Sequence, residues 1–121
     1  MKIKFLSFLL LCALSINAQI FTQIPDSIFE QHLINLGYDN THNGWVFTDS
    51  ISSIDSLDIN NINGQGSIYK IKNLDGIEFF GNLQYLDCSN NKLDTLNLNK
   101  NEYLKHIICT SDSIEVLMID S

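Results

Sequence analysis

Near its carboxyl end the chain repeats its own pattern at an offset of 21 residues, and no other feature limits its fold as strongly. Residues 83–99 and 104–120 align without a gap. The matched apolar pairs are Leu83/Leu104, Leu86/Ile107, Cys88/Cys109, Leu93/Ile114, Leu96/Leu117 and Leu98/Ile119. A unit this short cannot bury its apolar side chains alone, so successive copies are expected to stack and share one core.

Both copies resemble the leucine-rich repeat, whose pattern is L-x-x-L-x-L-x-x-N-x-L, with cysteine at the third apolar position and Asn91 or Asp112 at the turn. Alternating residues in each copy predict a short strand that pairs in parallel with the next, and the polar turn residue can satisfy backbone groups in the bend. We expect an α/β-type solenoid, a short leucine-rich-repeat stack of parallel strands with an N-terminal helical cap. We expect the repeats to occupy residues 51–121 as about 2.5 rungs with an incomplete carboxyl end.

An imperfect first rung precedes these copies. Ile54, Leu57 and Ile59 reproduce the apolar spacing at an offset of 29 residues, but Ile62 stands where asparagine is expected. The longer return carries an apolar residue at every third position, which favours a helical or 3₁₀ conformation. These residues are Ile68, Ile71, Leu74, Ile77 and Phe80.

Residues 19–50 are expected to form the N-terminal cap, because a repeat stack must cover its first apolar face. A helix is predicted at about 27–36, begun by a capping box of Ser27 and Glu30 or by Asp26, and ended at Gly37. The side chains expected to share its apolar face are Ile28, Phe29, Leu33 and Leu36. Trp45 and Phe47 are expected to seal the first rung.

Residues 1–18 have the organisation of a secretory signal peptide. Lys2 and Lys4 precede an apolar run of about a dozen residues, and Ala18 provides a small residue before the cut. That run is short for a membrane span, although a mature helix, a membrane anchor or a lipoprotein attached through Cys12 are the alternatives. The prediction is an exported chain, secreted or held at the cell surface, with no membrane span after cleavage.

The segment 86–98, LDCSNNKLDTLNL, resembles the repeat of secreted bacterial leucine-rich-repeat proteins common in Bacteroidetes. The end of the leader and the segment 24–39 resemble theirs as well, so the resemblance covers nearly the whole chain. It implies a solenoid used for adhesion or for protein binding at the cell surface.

The net charge of the chain limits the classes of partner that it is expected to bind. Without the leader the chain has five basic and 14 acidic residues, a net charge of −9, and the sequence contains no arginine. Phosphate recognition relies on arginine forks and basic patches, so nucleic acid and anionic lipid are not expected to bind. The acidity itself favours solubility.

Cys88 and Cys109 occupy equivalent positions on adjacent rungs, at a strand spacing of about 4.8 Å. That distance permits a disulfide, but two side chains projecting from parallel neighbours suit its dihedral angle poorly. Buried thiols are therefore favoured over a bond.

Catalytic and metal-binding motifs are weak. The loop from Asp39 to Gly44 resembles the opening of a calcium loop, but Ser50 replaces the glutamate expected at the twelfth position, which favours a plain loop. His32, His42 and His106 have no metal-ligand spacing and no nucleophile motif beside them. We expect no enzyme activity, no cofactor and no metal.

The outward positions of the strands are the best candidates for binding. They mix an aromatic side chain with polar neighbours, a composition common in recognition surfaces. The candidates are Ser56, Asp58, Tyr85, Asp87, Ser89, Lys105, His106, Ile108 and Thr110. The predicted function is a non-catalytic module that binds an extracellular protein or glycan. One alternative is that these residues are ordinary solvent-facing positions. Another is that the chain is a truncated or degenerate repeat protein, a fragment of a longer surface protein with no independent binding activity.

Overall fold

A computed structural model describes residues 20–64, 66–110, 114 and 116–118. The predicted leader, the turn at Asp112 and the apolar position Ile119 lie outside the described residues. In chain order the elements are β1 (Phe21–Gln23), α1 (Ser27–Asn35), β2 (Trp45–Phe47), α2 (Thr48–Ser52), β3 (Ser56–Asp58), 3₁₀ helices at Ser67–Tyr69 and Ile77–Phe79, β4 (Tyr85–Asp87), β5 (Thr95–Asn97), β6 (His106–Ile108) and β7 (Val116–Met118).

The predicted parallel pairing of the repeat strands is confirmed. Strands β3, β4 and β6 form one parallel sheet in that order. Leu57 is paired with Leu86, and Leu86 with Ile107, so equivalent residues of the rungs stand side by side. Leu57 and Leu86 are fully buried, whereas Ile107 of the last of these strands is half-buried.

A second parallel pair lies on the return side of the stack. Strand β5 pairs with β7, and Leu96 stands opposite Leu117. The repeat pattern marks Leu96 and Leu98 only as matched apolar positions and does not predict a strand here. Both leucines are buried, so the core is closed from two sides by short strands.

Asn91 fastens the turn after β4. Its buried amide Nδ2 donates to the carbonyls of Cys88 and Ser89 within the turn, at 3.1 and 3.3 Å, and to Ile59 of the preceding rung, at 2.9 Å. Its Oδ1 accepts from the amide of Ile71 at 3.1 Å. One side chain thus satisfies backbone groups of two rungs, as the repeat pattern predicts.

In the first rung the neighbouring residue takes this role. Asn61 is buried and its Nδ2 donates to the Tyr69 carbonyl at 2.5 Å, whereas Ile62 lies exposed. The return does contain the expected 3₁₀ turns, and four of its five regularly spaced apolar residues are buried. The exception is Ile68, which faces solvent.

Helix α1 begins at Asp26 rather than through the capping box. The Asp26 carboxylate accepts from the amides of Ile28 and Phe29, both at 3.0 Å, and Ser27 lies within the helix. Gly37 ends the helix at a φ of +86°, which glycine adopts without strain. Phe29 and Leu33 are buried, but Leu36 is exposed, contrary to the predicted face.

The antiparallel pair β1–β2 orients its aromatic residues outward. Phe21 is paired with Phe47, and their rings stack with centroids 4.5 Å apart. Trp45 and Phe47 are 46% and 39% exposed, so the prediction that they seal the first rung is wrong. Val46 between them is buried instead, because the register of the pair turns it towards the core.

Replacing Asn91 tests the importance of its amide. Asn91→Ala should lower the free energy of unfolding by about 3 kcal/mol or more, since several buried backbone groups lose their partner and each costs about 1–3 kcal/mol. Urea denaturation followed by circular dichroism measures the loss. Asn99→Ala, at an exposed position nearby, is the control and should stay within about 0.5 kcal/mol of the original chain. Equal stability of both variants would contradict this role.

Candidate functional site

The outward positions of β3, β4 and β6, with the residues next to them, form one surface that we call the strand face. Their order follows from the register of the sheet, which places Ser56, Tyr85 and His106 in one row across the strands. Asp58, Asp87 and Ile108 form the second row. Neighbouring strands lie about 4.8 Å apart, so each row spans about 10 Å.

The first row is open to solvent at both ends. Ser56 and His106 are exposed, and Tyr85 between them is half-buried. A tyrosine held this way offers a rigid apolar ring and a hydroxyl at little cost in conformational entropy. Lys105 beside the row is also exposed, and its amide is fixed by the Gln84 carbonyl at 2.8 Å. The row therefore holds an aromatic group, a hydroxyl and an imidazole, and Lys105 precedes the row's His106 in the chain.

The structure buries two residues of the predicted site. Asp87 is 9% exposed and Ser89 only 1% exposed, so their side chains are not open to solvent as outward positions were expected to be. The Ser89 hydroxyl accepts from the Thr110 amide at 3.0 Å, and Asp87 accepts from the Ser89 amide at 3.0 Å. These short side chains are buried because they bond to backbone groups at the ends of the strands.

Asp87 remains ionised in this setting. Burial acts to raise the pKa of Asp87, but hydrogen bonds from the Ser89 amide, the Ser89 hydroxyl and the Asn60 amide outweigh it, so the pKa lies below its ordinary value. The Asn60 Nδ2 donates to the Asp87 carboxylate at 3.3 Å. Asp87 therefore joins the first and second rungs.

The remaining candidates stay accessible. Asp58, Thr110 and Ile108 are exposed, and the Asp58 carboxylate also accepts from the Asn60 amide at 3.0 Å. The strand face thus carries a carboxylate on its first rung and cationic or apolar groups on its third.

His32 of α1 belongs to the electrostatic surroundings of this surface, although the sequence favoured only a surface or cap residue at this position. Burial lowers the pKa of His32, and the charges of Asp58 and Asp26 oppose this shift without cancelling it. A histidine alone in a helix gives no sequence signal of such a neighbour, because only the packing of α1 brings it near the strand.

The two cysteines differ in burial. Cys88 is buried and Cys109 is half-buried, and the Cys88 Sγ lies 3.6 Å from the Ile108 carbonyl, to which it donates. Cys109 is thus less buried than expected, and the preference for thiols over a disulfide stays a prediction.

The loop from Asp39 to Gly44 is organised by the buried carboxylate of Glu30, for which the sequence indicated only a capping-box role. Glu30, 1% exposed, accepts from the amides of Asn43 and Gly44 at 2.9 and 2.8 Å, and its other oxygen lies 3.2 Å from His42 Nε2. One oxygen of Asp39 accepts from the Asn40 and Thr41 amides. Within the described residues no three His, Cys, Asp or Glu side chains gather where a metal could bind.

Across the part of the chain that the structure describes, no helix combines the length and the apolar character needed to cross a membrane. No model of a protein family matches the sequence, and neither does any curated protein.

The architecture is similar to that of an internalin from Listeria monocytogenes, known from a crystal structure, with a TM-score of 0.61 and 17% sequence identity. The similarity covers 80% of this chain. The fold is a leucine-rich-repeat fold. The chain spans about 30% of the length of that internalin.

Because the pKa of Asp87 is lowered in the folded chain, we expect the free energy of unfolding to depend on pH through this residue. The ionised carboxylate stabilises the fold above its ordinary pKa of 3.8, and this contribution disappears as the pH falls through the lower folded-state value. Asp87→Asn should cost about 1 kcal/mol at pH 7, and the difference from the original chain should shrink in strongly acidic solution. Urea denaturation across this pH range measures it. Asp94→Asn, at an exposed carboxylate, serves as the control, and a difference for Asp87→Asn that did not change with pH would contradict the argument.

Proposed function

We propose that this chain is an exported leucine-rich-repeat module that binds a protein or a glycan outside the cytoplasm and catalyses no reaction. The observation that carries the proposal is the row of Ser56, Tyr85 and His106, which the parallel sheet holds in register on an accessible surface. Sites held by strands are positioned more rigidly than sites on loops, so this row can recognise a partner with little loss of conformational freedom.

Other residues of the strand face fit the same role. Asp58, Lys105, Ile108 and Thr110 surround the row with one apolar and several polar groups, a composition suited to a protein or glycan surface. Asp87 and Ser89 support the strands from below rather than touching the ligand. An extracellular adhesion function, of the kind implied by the resemblance to secreted Bacteroidetes proteins with 21-residue repeats, agrees with this division of roles.

The N-terminal part of the chain is proposed to cap the stack. Phe29 of α1 lies against Phe80 of the first return, with ring centroids 6.1 Å apart, and both rings are buried. Without α1 these apolar side chains would meet water, which is the condition a cap prevents.

Variants at the row test binding. The chain is immobilised and presented with an array of purified extracellular matrix proteins and bacterial and host polysaccharides. Tyr85→Ala together with His106→Ala should abolish the binding of any array member held by the original chain, with unchanged circular dichroism. Tyr103→Ala is the matched control, since Tyr103 is exposed in the turn before β6. Binding that survives the paired change, or no binding by the original chain, would favour the alternative of a degenerate repeat protein.

Export has a separate test. When the gene is expressed in a bacterium that secretes proteins, the protein found outside the cytoplasm should begin at Gln19, because cleavage after Ala18 removes the leader. Amino-terminal sequencing of the exported protein measures this, and Ala18→Asp should leave the leader attached. A chain retained in the cytoplasm with Met1 intact would rule out the leader.

A further inference from the structure

A groove of about 480 Å³ lies on the return side of the stack, between β5 and the segment Asn73–Glu78 of the first rung. We call it the return groove. Leu74, Ile77 and Leu96 line its floor with side chains that are at most 5% exposed, and Asp75, Glu78 and Lys100 contribute charge. Its volume is within the range of ligand-binding sites, about 300–1,000 Å³. None of these residues belongs to the strand face.

Strand β5 is an edge strand along this groove. It pairs with β7 on one side, and among the described residues no backbone hydrogen bond joins Thr95–Asn97 to Asn73–Glu78 on the other. In a parallel ladder successive residues bond to opposite sides, so one edge of β5 presents amide and carbonyl groups to the groove. Such an edge is a template for another extended chain.

The first rung cannot fill this position, because its amides are used elsewhere. The Asp75 amide donates to the Asn73 Oδ1 at 2.6 Å, and the Gly76 amide donates to a Glu78 carboxylate oxygen at 2.9 Å. The Ile77 amide donates to the Leu74 carbonyl at 2.9 Å in the 3₁₀ turn. The segment is therefore folded on itself instead of running as a strand beside β5.

Contacts with the N-terminal part hold the segment in that shape. The Asp26 carboxylate accepts from the amides of Lys72 and Asn73 at 2.8 and 3.2 Å. Gly76 has a φ of +104°, and a Cβ placed on it would lie 2.5 Å from Ile24 Cδ1 and 2.7 Å from the Gln23 carbonyl. The close packing against β1 and Ile24 keeps the groove open.

We propose that the return groove binds an extended polypeptide segment carrying basic residues, which adds to the edge of β5 as a further strand. Backbone bonds to β5 supply the attachment, and alternate side chains reach the apolar floor. Asp75 and Glu78 outnumber the single Lys100 at the groove, so a basic partner is favoured over an acidic one. The excess of acidic residues in the whole chain acts in the same direction.

A designed peptide provides the probe. A fluorescein-labelled, end-capped hexapeptide of alternating valine and lysine is titrated with the full chain at low salt, and fluorescence anisotropy is measured. It should bind, whereas the peptide with glutamate in place of lysine should not. N-methylation of one alternate set of peptide amides should abolish binding and methylation of the other set should leave it intact, since only one set faces β5. Equal effects of the two sets, or no preference for lysine, would overturn the proposal.

Variants of the chain locate the site. Asp75→Asn together with Glu78→Gln keeps an oxygen acceptor at each position and should weaken binding of the lysine peptide about three- to tenfold at low salt. Asp58→Asn, which removes an exposed carboxylate from the strand face, is the matched control and should have no effect. If Asp58→Asn weakened binding as much as the paired change, the peptide would be responding to overall charge and the return groove would be excluded. Tyr85→Ala should leave peptide binding unchanged, which separates this test from that of the strand face.

Discussion

The buried amide of Asn91 is the interaction on which the stacking of the rungs depends. A chain that leaves a strand and turns sharply inside a core exposes carbonyl and amide groups to an apolar environment, where an unpaired group is costly. Asn91 offers two donor hydrogens and an acceptor, and it uses them on both its own turn and the preceding rung. Burial of the repeat leucines stabilises the fold. The hydrogen bonds of Asn91 remove the cost of burying the polar groups of the turn among those leucines. Asn61 and Asn101 apply the same solution at other bends, where their amides donate to the Tyr69 carbonyl and to the carbonyls of Ile77 and Phe80.

A second constraint is the set of contacts that joins the N-terminal part of the chain to the first rung. One oxygen of Asp26 caps α1 and the other holds the amides of Lys72 and Asn73, so a single carboxylate fixes the helix and the first return together. Gly76 allows the return to approach β1 more closely than any side chain would permit. The same contacts hold the return in its folded shape, and among the described residues Asn73–Glu78 make no backbone hydrogen bond to β5.

The molecule consequently has two accessible surfaces with different chemistry. The strand face presents side chains on a sheet whose backbone groups are already paired, so the binding proposed there would depend on Tyr85, His106 and their neighbours. The return groove lies beside β5, which has no backbone hydrogen bond to Asn73–Glu78 among the described residues, and it carries two carboxylates. The peptide binding proposed there would depend on main-chain hydrogen bonds and on charge. Because the core separates them, a change on one surface should leave the other intact, and the two surfaces could hold different parts of one partner.

The sequence by itself determined the rungs. Apolar residues at fixed intervals decided which side chains enter the core, and the repeated offset decided which residues pair, because a slip of one residue would turn Leu86 and its equivalents to solvent. It also indicated the turn at Asn91 and the end of α1 at Gly37.

Only the tertiary structure decided which groups the short polar side chains bond to. Asp87 and Ser89 occupy outward positions in the pattern, yet they are buried because backbone groups of adjacent rungs lie within their reach. The orientation of Trp45 and Phe47, the hydrogen bonds from the first return to Asp26 and the open edge of β5 were likewise set by contacts between distant segments. Periodicity reports which residues avoid water, whereas these features depend on which hydrogen-bonding groups meet after the chain has folded.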